Sequence, residues 1–164
     1  MTWPWRVWVL LWAMIAGFVT AFGTQPGMGG AWWPIAGLWL AAGFASFGLS
    51  IWVAICLTVL GMFMDFLGEA PIGAWPVALL SAYGVALVAW DRQATSGVSI
   101  AVAEVIAVVG GLIAAGVMLG VAASVAGHPG FSRSAFMTDF FLTAALYPLV
   151  RYLIVPASIR EARR

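Results

Sequence analysis

Met64-Asp65-Phe66-Leu67-Gly68-Glu69-Ala70-Pro71-Ile72-Gly73-Ala74-Trp75 is a turn carrying two carboxylates, set between two apolar runs each about long enough to cross a bilayer. A carboxylate at the end of the first run opposes that helix's dipole, so Asp65 needs water or a partner. Two readings stay open for it: a structural one, in which it bonds the backbone of the following turn, and a contact to a partner protein. Gly68 and Pro71 stop the helix, Glu69 falls in the turn, and Gly73 supplies backbone angles closed to other residues. A new helix opens near Ala74, with Pro76 in its first turn, where a missing N–H costs little.

Composition sets the class. Apolar types make up 64% of the 164 residues and charged types 8%, against roughly half and a quarter in a soluble domain. Such a chain could not cover itself with a polar surface. The expectation is one transmembrane domain over residues 1–164, an all-α bundle of six transmembrane helices at about 5–23, 31–47, 50–66, 74–90, 98–126 and 135–155. The runs are continuous and rich in Leu, Ala and Val, unlike the alternation of a membrane β-barrel.

Along the chain, the first run exceeds the length of a signal-peptide core and reads as a retained helix. On it, Trp5, Trp8 and Trp12 form a face expected to meet lipid, and Ala13, Gly17 and Ala21 a face for close packing. Trp32-Trp33-Pro34 reads as an interfacial anchor. The uncharged stretch from Ala31 to Met64 is too long for one crossing and must fold back, at Ser46-Phe47-Gly48-Leu49-Ser50. Gly37, Ala41 and Ala45 line one face of the second helix.

Asp91 to Gly97 reads as the clearest hydrophilic loop. The fifth helix carries two small-residue stripes, Ala103, Ala107, Gly111 and Ala115, then Gly116, Gly120 and Ser124, and is expected to be central. Thr138 or Ser134 is expected to cap the sixth helix, with Asp139 in its first turn, and Pro148 to kink it.

Arg6, Arg92, Arg151, Arg160, Arg163 and Arg164 fall on one face of this threading and Arg133 on the other, which puts both termini in the cytoplasm. Glu104 and Arg151 reach similar depths on consecutive helices and are expected to pair, the alternative being that each extends separately to the headgroups. Cys56 has no partner cysteine and reads as a packing residue. His128 stands alone in a loop, so no metal site is expected. No catalytic group is expected either, because the one histidine falls in a loop and Gly68 and Pro71 break the helix that would let Asp65 and Glu69 share a face; no cofactor and no nucleic-acid partner are expected.

Asp65-Phe66-Leu67-Gly68-Glu69-Ala70-Pro71-Ile72-Gly73, then Leu79-Leu80-Ser81-Ala82-Tyr83, then Thr143-Ala144-Ala145-Leu146-Tyr147-Pro148-Leu149-Val150 with an arginine-bearing tail, resemble the rod shape-determining protein MreD family. The resemblance implies a non-catalytic subunit of the bacterial inner membrane, in the elongation machinery that builds lateral-wall peptidoglycan and maintains cell shape. Its implied partners are an MreC-like periplasmic scaffold, a RodA-type glycosyltransferase, a class B penicillin-binding protein and, indirectly, the MreB filament, together with membrane lipids. The sequence departs from the commoner family pattern in its Trp-rich first and second helices and in the scarcity of charge between its second and third.

The resemblance also implies a fold similar to the six-helix substrate-binding subunits of energy-coupling-factor transporters. From that comes an alternative function, a small-molecule-binding subunit of a vitamin-type transporter, with Trp75, Asp65 and Glu69 at an outer pocket.

Overall fold

The computed structural model describes residues 3–23, 35–67, 71–126 and 133–154. Within them lie six helices and no strand: α1 (Trp3–Gly23), α2 (Ala36–Ala45), α3 (Ile51–Leu67), α4 (Ala74–Ser96), α5 (Ile100–Ala126) and α6 (Arg133–Ile154). By length and composition, α4 and α5 are each able to cross a membrane. The Trp32-Trp33-Pro34 anchor, Gly68, Glu69, the His128 loop and the tail arginines lie outside the described residues.

The bundle is built around its shortest helix. All ten residues of α2 are buried, and α2 touches each of the other five helices. Its sequence explains this: Ala36, Gly37, Ala41, Ala42, Gly43 and Ala45 are distributed all round the axis, so neighbours approach from every side. A methyl on Gly37 would sit 3.0 Å from Leu79, and one on Gly43 3.1 Å from Ile154. The centre was expected to be α5, and that is corrected. α5 buries only the stripe Ala103, Ala107, Gly111 and Ala115 with a few larger neighbours, mostly against α4 and less against α2 and α6. On the second stripe there is open space around Gly120, and Ser124 is exposed.

Several boundaries also move. α4 continues through Asp91-Arg92-Gln93-Ala94-Thr95-Ser96, which was expected to be a loop, and stops at Gly97 with φ 67°. Nothing in that hexapeptide breaks a helix, and the first residue able to turn left-handed without strain is Gly97. α2 ends at Ala45, and its first turn begins only after Ile35, whose N–H is bonded outside the helix. α6 already starts at Arg133, so Thr138 and Asp139 are interior residues rather than a cap and its first turn. The helix runs through Pro148 to Ile154 as one element.

The tryptophan face of α1 is corrected as well. Trp5, Trp8 and Trp12 are half-buried against the core, Trp5 packing edge-on to Phe44 at 5.5 Å and Phe47 at 4.4 Å. The residues turned outward are Val7, Leu11, Met14, Ile15 and Phe18. Large aromatic surfaces fill the wide gap beside a helix made mostly of small residues, and aliphatic side chains remain for the outside.

Candidate functional site

The acidic turn is a joint between two helices. Asp65 ends α3 buried, and its Oδ2 accepts the Gly73 N–H at 2.6 Å while its Oδ1 accepts the Trp75 N–H at 2.9 Å. These are free donors at the start of α4, so the carboxylate that opposes the dipole of its own helix caps the positive end of the next. Gly73 holds φ 93°, which turns the chain into α4. The Pro71 carbonyl accepts the Ala74 N–H at 3.0 Å. Behind the turn, Gly61 lies against Pro76 so closely that a methyl there would be 2.4 Å from the proline nitrogen.

A second joint sits at the other end of α3. The Tyr83 hydroxyl accepts the Ser50 N–H and donates to the Gly48 carbonyl, each at 3.0 Å, so α4 pins the turn between α2 and α3. The fold-back expected at Ser46–Ser50 is there, and the sequence held no sign that Tyr83 would secure it.

The third joint holds α2 to α6. Thr143 Oγ1 accepts the Ile35 N–H at 2.8 Å and donates to the Asp139 carbonyl, and the Thr143 carbonyl accepts the Trp39 indole N–H at 2.8 Å. Nearby, Trp8 donates its indole N–H to the Ile154 carbonyl at 2.9 Å, tying α1 to the end of α6. Trp39 was not singled out in the sequence, and Thr143 only as the first residue of the last stretch that carries the family resemblance. A threonine inside an apolar helix ordinarily bonds its own preceding turn, and nothing local tells that its second lone pair serves another helix.

Glu104 and Arg151 form an ion pair, at 16% and 23% side-chain exposure, between the start of α5 and the end of α6. Arg151, in the last turn of α6, sits where its helix dipole favours a cation. Away from this pair α5 and α6 pack sparsely, α6 lying more against α2. The gap is a cleft of about 340 Å³ lined by Glu104, Val108, Tyr147, Pro148 and Arg151, with Pro148 exposed on its rim. Where α2, α4, α5 and α6 meet, the remaining void is about 10 Å³, room for one water at most.

The candidate residues therefore do not converge. Asp65, Pro71 and Gly73 form one joint, Tyr83 a second, and Glu104, Pro148 and Arg151 line the cleft between α5 and α6. No protein-family model, curated protein or solved structure matches the chain.

Proposed function

We propose that the chain is a multi-pass protein of the bacterial inner membrane and a non-catalytic subunit of the cell-elongation complex, supporting lateral peptidoglycan synthesis and cell shape. The membrane part rests on an outside that is apolar nearly everywhere. Large apolar side chains stand exposed on every helix but α2, including Phe18, Val59, Phe66, Ile113, Val117 and Phe141, far beyond the patches a soluble monomer carries. Hydroxyls along the helices answer to their own backbone, Thr20 to Ala16, Thr58 to Ala54 and Ser124 to Val121, as a medium without water requires.

α2 spans only about 15 Å, and its enclosure by protein makes that length tolerable. The starts of α1 and α3 lie together, with Arg6 over the Trp52 ring, so the chain between them recrosses. Continued through the Asp65 joint, this gives six crossings. Arg6 and Arg151 share one end, which the positive-inside rule assigns to the cytoplasm.

The observation that carries the scaffold reading is the commitment of the Asp65 carboxylate to the backbone of α4. With Tyr83 and Thr143 equally engaged, the polar residues behind the resemblance to the rod shape-determining MreD family hold helices in place. Partner binding then falls to exposed surfaces, and the α5–α6 cleft with Pro148 on its rim is where a partner helix fits. The candidates are the MreC-like scaffold, the RodA-type glycosyltransferase and the class B penicillin-binding protein.

Co-purification from mild detergent tests this, using wild type, Pro148→Ala and Asp65→Asn. Recovery of the scaffold or the wall synthase, weakened by Pro148→Ala in a protein of unchanged stability, is the expected result. Asp65→Asn keeps one acceptor and loses the charge, so its expected cost is about 1.5–3 kcal/mol of stability, with binding lost only as folded protein is lost. Recovery of a coupling ATPase in place of these partners would overturn the reading in favour of a transporter subunit.

A further inference from the structure

Between α1 and α3 runs an open apolar groove of about 490 Å³, distinct from the α5–α6 cleft. Gly17 and Cys56 form its floor, and Met14, Phe18, Val59 and Phe63 its walls. The floor is low because Gly17 has no side chain: a methyl there would first meet Leu60 at 3.5 Å. From Leu10 to Ala21 the groove follows α1 for about 17 Å, close to half the ~30 Å hydrocarbon thickness of a bilayer. It is as deep as one leaflet.

A charge stands at one end. Arg6 lies one turn before Leu10, exposed, with its guanidinium over the Trp52 ring at 5.9 Å from the centroid. Among the described residues no carboxylate pairs with it. The ring steadies the cation from one face and leaves its N–H donors free, a geometry that suits a phosphate oxygen pair. An apolar trough one leaflet deep that ends at a free arginine matches an anionic phospholipid, acyl chain in the groove and phosphate at Arg6.

We infer that the α1–α3 groove binds one anionic phospholipid of the leaflet at the Arg6 end, an inference that rests on the membrane reading above. The groove between α4 and α5 is its nearest rival, since it carries Arg92. There, however, no ring among the described residues lies beneath the arginine, which stands on the exposed last turns of α4. Bound lipid would cover the apolar groove along both α1 and α3.

The experiment is native mass spectrometry of the detergent-solubilised full chain with equimolar phosphatidylglycerol and phosphatidylcholine of identical acyl chains. Wild type is expected to retain one phosphatidylglycerol per chain, about fivefold over phosphatidylcholine, the weight of one cation at an anionic surface. Arg6→Gln erases the preference, Arg6→Lys keeps most of it and Arg92→Gln leaves it unchanged. Equal retention of the two lipids by wild type overturns the inference, needing no variant to fold. So does a preference that survives Arg6→Gln or vanishes with Arg92→Gln. If the chain stays with carbonate-washed membranes but shows no preference, the lipid site alone falls; recovery in the soluble fraction removes the membrane reading with it.

Discussion

α2 and α5 are both apolar helices rich in Gly and Ala, yet one is enclosed on all sides and the other is covered along one stripe. Small residues recur around both helices, but on α5 the buried ones form only the period-four row Ala103, Ala107, Gly111 and Ala115, facing α4. Opposite that row, Val102, Val105, Val109 and Ile113 stand exposed. Apolar character therefore says that a helix avoids water, and small side chains permit close neighbours without fixing how many helices it meets. The ends differ too: those of α2 are secured by Thr143 and Tyr83 from two other helices, while at the start of α5 the Ser99 hydroxyl accepts the Val102 N–H at 3.3 Å and Glu104 pairs with Arg151.

The contrast can be broken most sharply by truncating one side chain on each helix. Phe44 on α2 is 1% exposed and Val117 on α5 is 56% exposed. Phe44→Ala is expected to cost about 3–5 kcal/mol, and Val117→Ala under about 0.5 kcal/mol, measured by thermal unfolding in one detergent. Similar losses at the two sites would mean that α5 is enclosed as α2 is.

Removing an end tie is the next largest effect. Thr143→Val leaves the buried Ile35 N–H without an acceptor, an expected loss of about 1–3 kcal/mol, and should speed hydrogen exchange at the start of α2 well before α5 responds. Thr143→Ser retains the hydroxyl and should restore most of the protection. Uniform exchange across both helices would instead point to global loosening.

The smallest effect distinguishes the two stripes of α5 itself. A methyl on Gly111 meets the Ala82 carbonyl at 3.3 Å, while one on Gly120 meets nothing within 4 Å. Gly120→Ala should stabilise by up to about 1 kcal/mol through helix propensity, and Gly111→Ala should lose that gain by pushing α5 off α4. A destabilising Gly120→Ala would reveal a close neighbour on the second stripe.

Much of this was legible from residues alone where the cause is local. The turns at Ser46–Ser50 and Pro71–Gly73 follow from Gly, Ser and Pro between apolar runs, and the six segments from run length. The joining of Glu104 to Arg151 followed from their matched depth on consecutive helices. Apart from that pair, what depends on a second helix was less legible. The hexapeptide after Trp90 looked like a loop because it is polar, but polarity does not end a helix. The tryptophans of α1 looked outward because tryptophan favours interfaces, but the neighbouring helix of small residues left a gap that only large side chains fill.

By itself, then, the sequence determined an all-helical chain, its apolar class, the punctuation between helices and the placement of its few charges, because these depend on propensity and hydropathy within one segment. Only the tertiary structure decided that α2 is the hub, that α5 lies to one side, and that Asp65, Tyr83 and Thr143 spend their hydrogen bonds on the backbones of other segments. Apolar residues carry no instruction about which apolar surface to meet. That choice is made by shape and by polar groups seeking partners across the bundle, and it exists only once all the helices are together.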